Sequence, residues 1–251
     1  MIRLFLGRVK YLINKLLKIT NHRIDRDYSH ITRGKILEKT DVVIDVGANS
    51  GQYAKKLRKL NYKKKIISIE PLSEAHSKLI KNSKSDLNWN VLDRMAIGNE
   101  EGYIKINKSL NSVSSSVLDI LPIHTLAVPE SNYISQEEVK ITTICNIIDK
   151  VGITSNNILL KIDTQGFEYE VLCGALKVMN RIKFIEIELS VQELYSGQKL
   201  YLELLNMLNG LNYQLILFEK SFEDKLNGTL LQFDAIFCKS DYLDILLNKR
   251  I

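Results

Sequence analysis

Gly47 and Gly51 stand four positions apart directly after the apolar run Val42–Val46, a spacing that suits the binding of a nucleotide-like cofactor. Lacking a Cβ, both can take turn dihedrals and bring the backbone close to a ligand at the start of the helix predicted from Gln52 to Leu60. Glu70, about twenty residues further on, ends a second apolar run and offers a carboxylate suited to a ribose diol. A dinucleotide fingerprint wants Gly-x-Gly-x-x-Gly, and Asn49 holds its middle glycine position, so a pyrophosphate would meet a side chain. The Gly-Lys-Ser or Gly-Lys-Thr of a phosphate loop is absent. The plain alternative is a tight strand-to-helix turn without a ligand.

Three further carboxylates could hold or move a proton. Asp163 closes the apolar run 157–163, where Lys161 is an alternative ion partner; Glu168 stands in the first turn of the next helix, which it could equally cap. Between Phe184 and Leu189, alternation puts Glu186 and Glu188 on one face of an otherwise buried strand, where carboxylates must be paired or functional. A general base must lie within hydrogen-bond reach of the proton it takes, and these strand-end carboxylates are the groups available for that work. Asp163 and Glu188 also leave a magnesium or calcium site open, although no further ligands stand out. Cys145, Cys173 and Cys238 are widely spaced, which reads as a reducing compartment and, for the last two, buried small hydrophobes. His124 lies in an irregular stretch, where contact with a substrate and an idle loop position are both open.

Together these motifs resemble the FkbM-type methyltransferases. The likeness runs through Asp45-Val46-Gly47-Ala48-Asn49-Ser50-Gly51, Glu70-Pro71 and Ala96-Ile97-Gly98 with Gly102. It is most distinctive at Leu159-Leu160-Lys161-Ile162-Asp163-Thr164-Gln165-Gly166-Phe167-Glu168, leading to Leu172 and Gly174-Ala175. The resemblance extends from about Thr40 to Lys239. It implies S-adenosylmethionine as cofactor, contacted by Asp45, Gly47, Asn49, Gly51 and Glu70, with Asp93 at the adenine edge and Ala96 and Ile97 lining the adenine slot. It further implies a hydroxyl acceptor on a sugar, a glycan or another small secondary metabolite, with Asp163, Glu168 and Glu188 as the catalytic, acceptor-side residues. One departure matters: where members carry Thr-Leu-Asp, this chain reads Thr142-Thr143-Ile144-Cys145-Asn146, so no role of that aspartate transfers. Two other functions stay open, a cofactor-binding or membrane-peripheral scaffold without turnover and an NAD-dependent oxidoreductase, which Asn49 opposes.

Such residues need a scaffold, and 251 residues with 45% apolar content can bury one substantial core. Strand patterns at 42–46, 65–70, 88–96, 157–163, 183–189, 212–219 and 230–238 alternate with helical ones. The expected fold is therefore α/β, and the resemblance makes it a Rossmann-like class I methyltransferase with a seven-stranded, mostly parallel sheet between helices, its last strand antiparallel. That domain is assigned to 40–251. Within it, 98–139 reads as an insertion with a hairpin strand from Tyr103 to Asn107 and a run of serines, shaping the acceptor site or disordered.

Residues 1–39 form a separate basic extension. Apolar Ile2, Phe5, Leu6, Val9, Leu12, Ile13, Leu16 and Leu17 fall in one helical stripe opposite Arg3, Arg8, Lys10, Lys15 and Lys18. The formal charge of +6 resides entirely in residues 1–33, so the remainder is balanced. Charges interrupt the segment too often for a spanning helix. Residues 1–19 either pack on the core or another subunit, or lie on an anionic membrane surface, which makes the expected location cytoplasmic or peripheral at the inner membrane face. Nucleic acid is not an expected partner, because the rest of the chain is neutral and carries no reading motif.

Overall fold

The computed structural model describes residues 29–225 and 227–247. The chain divides into two units, residues 1–33 and 34–251. The basic stripe of residues 1–19 lies outside the described residues. The first described helix is α1 (Ser29–Lys39), and the second unit carries the sheet.

Five short runs supply the parallel part of that sheet: β1 (Val42–Val46), β2 (Lys65–Ile69), β3 (Trp89–Val91), β7 (Ile158–Ile162) and β8 (Ile182–Ser190). Two longer strands, β9 (Tyr213–Glu223) and β10 (Leu230–Lys239), complete the order β3-β2-β1-β7-β8-β10-β9, with β10 antiparallel to both neighbours. This is the seven-stranded α/β sheet expected, with the late antiparallel insertion in place. Every residue of β1 and β7 is buried because helices cover both faces. Alternation then divides each strand between two layers. Val42, Ile44 and Val46 join one apolar cluster with Leu160 and Ile187, and Val43 joins another with Ile66, Leu159 and Phe184.

The second layer also receives a polar seam. Ser68, Asp45, Lys161 and Glu186 are register partners on successive strands, so four polar side chains lie side by side across the middle of the sheet. Helix α2 (Gln52–Lys59) covers it: the Tyr53 hydroxyl donates to Glu186 Oε2 (2.6 Å), and the Lys161 ammonium lies 5.5 Å from the centre of the Tyr53 ring.

One sequence expectation needs correction, that of the third strand. The strand expected at 88–96 ends at Val91, and Ala96–Ile97 (β4) belongs to a second, three-stranded sheet. The stretch 98–139 is largely ordered: β5 (Gly102–Ser109) contains the expected hairpin strand, and it pairs antiparallel with β6 (Tyr133–Thr142), which also carries β4. Helix α3 (Ser73–Ser83) follows β2, and the short helix α4 (Pro122–Ala127) lies between β5 and β6. Three more helices, α5 (Ile144–Lys150), α6 (Glu168–Cys173) and α7 (Tyr201–Gly210), separate the later strands, and α8 (Leu243–Leu247) follows β10. Among the described residues, no helix is long and apolar enough to cross a membrane.

Candidate active site

The carboxyl ends of β1, β2, β7 and β8 open into a cavity of about 520 Å³, within the usual range for small-ligand pockets. Gly47, Asn49, Glu70, Ala96, Ile97, Asp163 and Glu188 all line it. Sequence positions separated by more than a hundred residues therefore meet at one sheet edge, where open α/β sheets bind ligands.

The glycine turn works as expected at one glycine and differently at the other. Gly47 has φ 77°, and a Cβ there would collide with the backbone carbonyl of Asp163. The turn after β1 thus presses directly on the end of β7. Gly51 has φ 90°, but the space it spares is filled by the Trp89 ring, 2.6 Å from where a Cβ would stand, so it serves helix packing and lies off the cavity wall. Asn49, at φ 47°, reaches the serine loop through Nδ2 to Ser112 Oγ (3.3 Å). Glu70 is almost fully buried and accepts from the Asn49 N–H (2.7 Å) and the Leu72 N–H (2.9 Å), which fixes the glycine turn to the start of α3.

Asp45 and Glu168 stand behind the cavity wall. Asp45 accepts from the Ser68 hydroxyl (3.2 Å), while its Oδ1 is buried without a partner. Glu168 accepts from the Thr164 N–H (2.9 Å) and the Gly166 N–H (3.0 Å), so it ties down the turn before its own helix, an architectural use different from capping, since Phe167 stands at the cap position without a side-chain bond. Asp93 is displaced altogether: its side chain is 90% exposed and 3.8 Å from Lys150, because the chain turns to solvent after β3.

On the opposite side, one amide ties the carboxylates together. Gln165, held at φ 54°, donates through Nε2 to Asp163 Oδ1 (2.8 Å) and Glu188 Oε2 (2.7 Å) and accepts through Oε1 from the Tyr195 hydroxyl (2.8 Å). Gln232 of β10 adds a second donor to Glu188 Oε2 (2.9 Å). Lys161 donates to Asp163 Oδ2 (2.7 Å). Gln165, Gln232, Lys161, Asp234 and Tyr53 all line the cavity, although residue type and spacing alone do not mark them as site residues. The alternation of Gln232 and Asp234 along β10 is the signal that could have found two of them, since polar residues recurring by twos in an apolar strand mark one face. Among the described residues, no group of three or more His, Cys, Asp or Glu side chains is arranged to hold a metal ion.

Burial dominates the electrostatics. It raises Asp45 and Asp234 to about 6, and Glu70 and Glu168 to about 7. Glu188 is pushed well above the carboxylate range by burial and by the neighbouring Asp163 and Asp234 charges. Asp163 is the exception. Burial works against its charge, but the Lys161 ammonium and the Gln165 amide outweigh that and hold its pKa down.

These shifts set a pH dependence. A carboxyl with a raised folded pKa binds more protons folded than unfolded, so its stabilising contribution is lost as pH rises through the folded value. Burial lowers His124 to about 4, which acts in the opposite sense only below its ordinary value near 6.5. Above that, the carboxyls act alone. Thermal melts of the ligand-free protein are expected to drop by about 4 °C or more between pH 6 and pH 8. A flat or rising profile would refute the assignment.

A profile of the methyltransferase FkbM domain matches residues 45–215, which span the glycine turn, Glu70 and the Lys161–Glu168 segment. The 2-O-methyltransferase NoeI of Sinorhizobium fredii (strain NBRC 101917 / NGR234) is 29% identical over 178 residues, covering 65% of this chain and 69% of that protein. Among solved structures, the methyltransferase FkbM of Methylobacillus flagellatus KT aligns with 78% of this chain at 15% identity and a TM-score of 0.49; this chain covers 44% of its length. The human methyltransferase 10 domain containing protein aligns with 93% of this chain, and this chain with 97% of it, at 10% identity and a TM-score of 0.43. With the family profile spanning more than half of its length, the chain belongs to the FkbM family of methyltransferases.

Proposed function

We propose that the cavity transfers a methyl group from S-adenosylmethionine to a hydroxyl of a sugar or glycan. The observation that carries this reading is the division of one cavity into two chemistries. One half joins the Glu70 carboxylate to an apolar slot of Leu72, Met95, Ala96, Ile97 and Phe167, a donor set that fits a ribose and a flat base. The other half gathers Asp163, Glu186, Glu188, Asp234 and two amides, which fits a cationic centre and a polyhydroxylated acceptor. The name of the relative NoeI, a 2-O-methyltransferase, supports oxygen as the methylated atom.

In this reading Glu70 and the Gly47–Asn49 backbone hold the nucleoside, and the orphaned Oδ1 of Asp45 adds negative potential beneath it. When bound, S-adenosylmethionine supplies an electrophilic methyl group on a sulfonium. Asp163 faces the cavity as a stable anion, and Glu188, locked by Gln165 and Gln232, orients a hydroxyl. Apolar Val117 and Phe222, partly buried in the cavity wall, shield the reacting atoms from water. An in-line displacement needs this alignment more than it needs a strong base.

Calorimetric titration with S-adenosylhomocysteine tests the cofactor half. Wild type is expected to bind in the micromolar range and Glu70→Ala about 10- to 100-fold more weakly, the effect of losing a charged hydrogen-bond partner. A folded wild type that binds none would sink the proposal. Transfer of labelled methyl groups to simple methyl glycosides then tests the acceptor half.

A further inference from the structure

Beside the serine loop, the cavity is closed by an aromatic group to which the reading above gives no task. His124 in α4 is only 3% exposed, yet it lines the cavity. Its ring lies edge-on to Tyr195, with centroids 5.1 Å apart at 81°, and is tilted against Phe222 at 5.4 Å. Its Nδ1 is buried and has no hydrogen-bond partner. Packing does not explain this choice of residue, because a phenylalanine would fill the same place without leaving a polar atom unsatisfied. Tyr195 also joins the ring to the carboxylates: its hydroxyl donates to Gln165, which holds both Asp163 and Glu188. His124, Gln165 and both carboxylates line the same cavity.

Resting on the methyl-transfer reading, we propose that His124 is a catalytic residue, its imidazole accepting the hydrogen bond of the acceptor hydroxyl and then taking its proton. The acceptor oxygen forms a bond to the methyl carbon with a lone pair and displaces the sulfur, which keeps the C–S electron pair as a neutral thioether. The O–H electron pair stays on oxygen, the proton moves to the imidazole lone pair, and the imidazolium later releases it to water. Burial lowers the pKa of the ring to about 4, so it is neutral at pH 7 and has that lone pair available. Glu188 is less suited to the task, because its Oε2 already accepts two amide N–H groups.

The test compares wild type, His124→Phe and His124→Gln. Phenylalanine preserves the stacking with Tyr195 and Phe222, so it separates loss of the nitrogens from loss of packing. S-adenosylhomocysteine affinity is expected to stay within about twofold in both variants. Methyl transfer to a panel of methyl α-L-fucopyranoside, methyl β-D-glucopyranoside and methyl N-acetyl-β-D-glucosaminide is expected to lose at least about 100-fold in kcat in His124→Phe. His124→Gln, which keeps a hydrogen-bond acceptor, should recover about tenfold of that. In the wild-type complex with S-adenosylhomocysteine, long-range ¹H–¹⁵N spectra should show the His124 ring signals moving when the methylated glycoside is added. Unchanged kcat in a folded His124→Phe, or ring signals that do not move, overturns the assignment while leaving the methyl-transfer reading intact. A wild type that binds S-adenosylhomocysteine but methylates no glycoside defeats the sugar reading, and the His124 role falls with it.

Discussion

Lys161→Met is expected to lower the unfolding free energy by about 3–5 kcal/mol, the cost of removing one partner from a buried ion pair. For a chain of 251 residues that corresponds to a fall in Tm of about 6–10 °C. The lysine is 7% exposed, bonded to Asp163, register-paired with Asp45 and Glu186, and stacked near Tyr53. Burial opposes its charge, but Asp163 and Asp45 outweigh burial and hold it protonated. Methionine keeps the volume and removes the one ammonium in that seam, leaving carboxylates facing each other without a counter-charge. Acid should partly rescue the variant, since those carboxylates can then be neutralised by protons. Melts at pH 7.5 and pH 5 check both statements: the gap from wild type should be wide at the higher pH and narrow at the lower. A variant as stable as wild type at pH 7.5 would mean that the seam is held by packing alone.

Asp163→Asn is expected to cut kcat/KM for methyl transfer by about 10²- to 10³-fold, the range seen when a preorganised polar group is removed from an active site. Both carboxylate oxygens face donors, the Lys161 ammonium on one side and the Gln165 amide on the other. Asparagine offers one oxygen and turns an N–H toward the second donor. Gln165 then loses an anchor that helps keep it at a left-handed φ of 54°, and with it the grip on Glu188 and Tyr195 loosens. Calorimetry with S-adenosylhomocysteine supplies the control: affinity retained within about tenfold, alongside the kinetic loss, assigns the effect to the acceptor half. Turnover equal to wild type would remove Asp163 from the mechanism.

Much of the sheet is legible in the sequence because its strands are short, apolar and β-branched, and because their ends carry glycine, proline or acid. Glu70 can be placed at the sheet edge from the proline that follows it, and Glu186 can be recognised as a buried acid in need of a partner; the structure supplies Tyr53. Less legible is anything decided by a partner far along the chain. Val91, Leu92, Met95 and Ala96 fall within the one strand expected at 88–96; Asp93 and Arg94 interrupt it, but nothing local reveals that Ala96 leaves the main sheet to pair with Ile141. The polar seam is hidden for the same reason. Ser68, Asp45, Lys161 and Glu186 are each a single polar residue in a different apolar strand, and only the register brings them into one row. Gly51 and Glu168 stand out as special by residue type, but the structure gives them to Trp89 and to the turn at Thr164–Gly166. Type and spacing identify a constrained position; they do not separate a constraint imposed by a ligand from one imposed by the fold.

The insertion of β10 between β8 and β9 also bears on the order in which the molecule can be completed. During synthesis β8 and β9 emerge first, yet they are not neighbours in the finished sheet, and the strand that lies between them has still to be made. Until it arrives, β9 has no partner in the sheet and Glu188 lacks Gln232. A growing chain halted before Leu230 would hold the whole glycine turn and the apolar slot but lack Gln232 and Asp234, so gripping the acceptor is a property that arrives only with the last strand of the sheet.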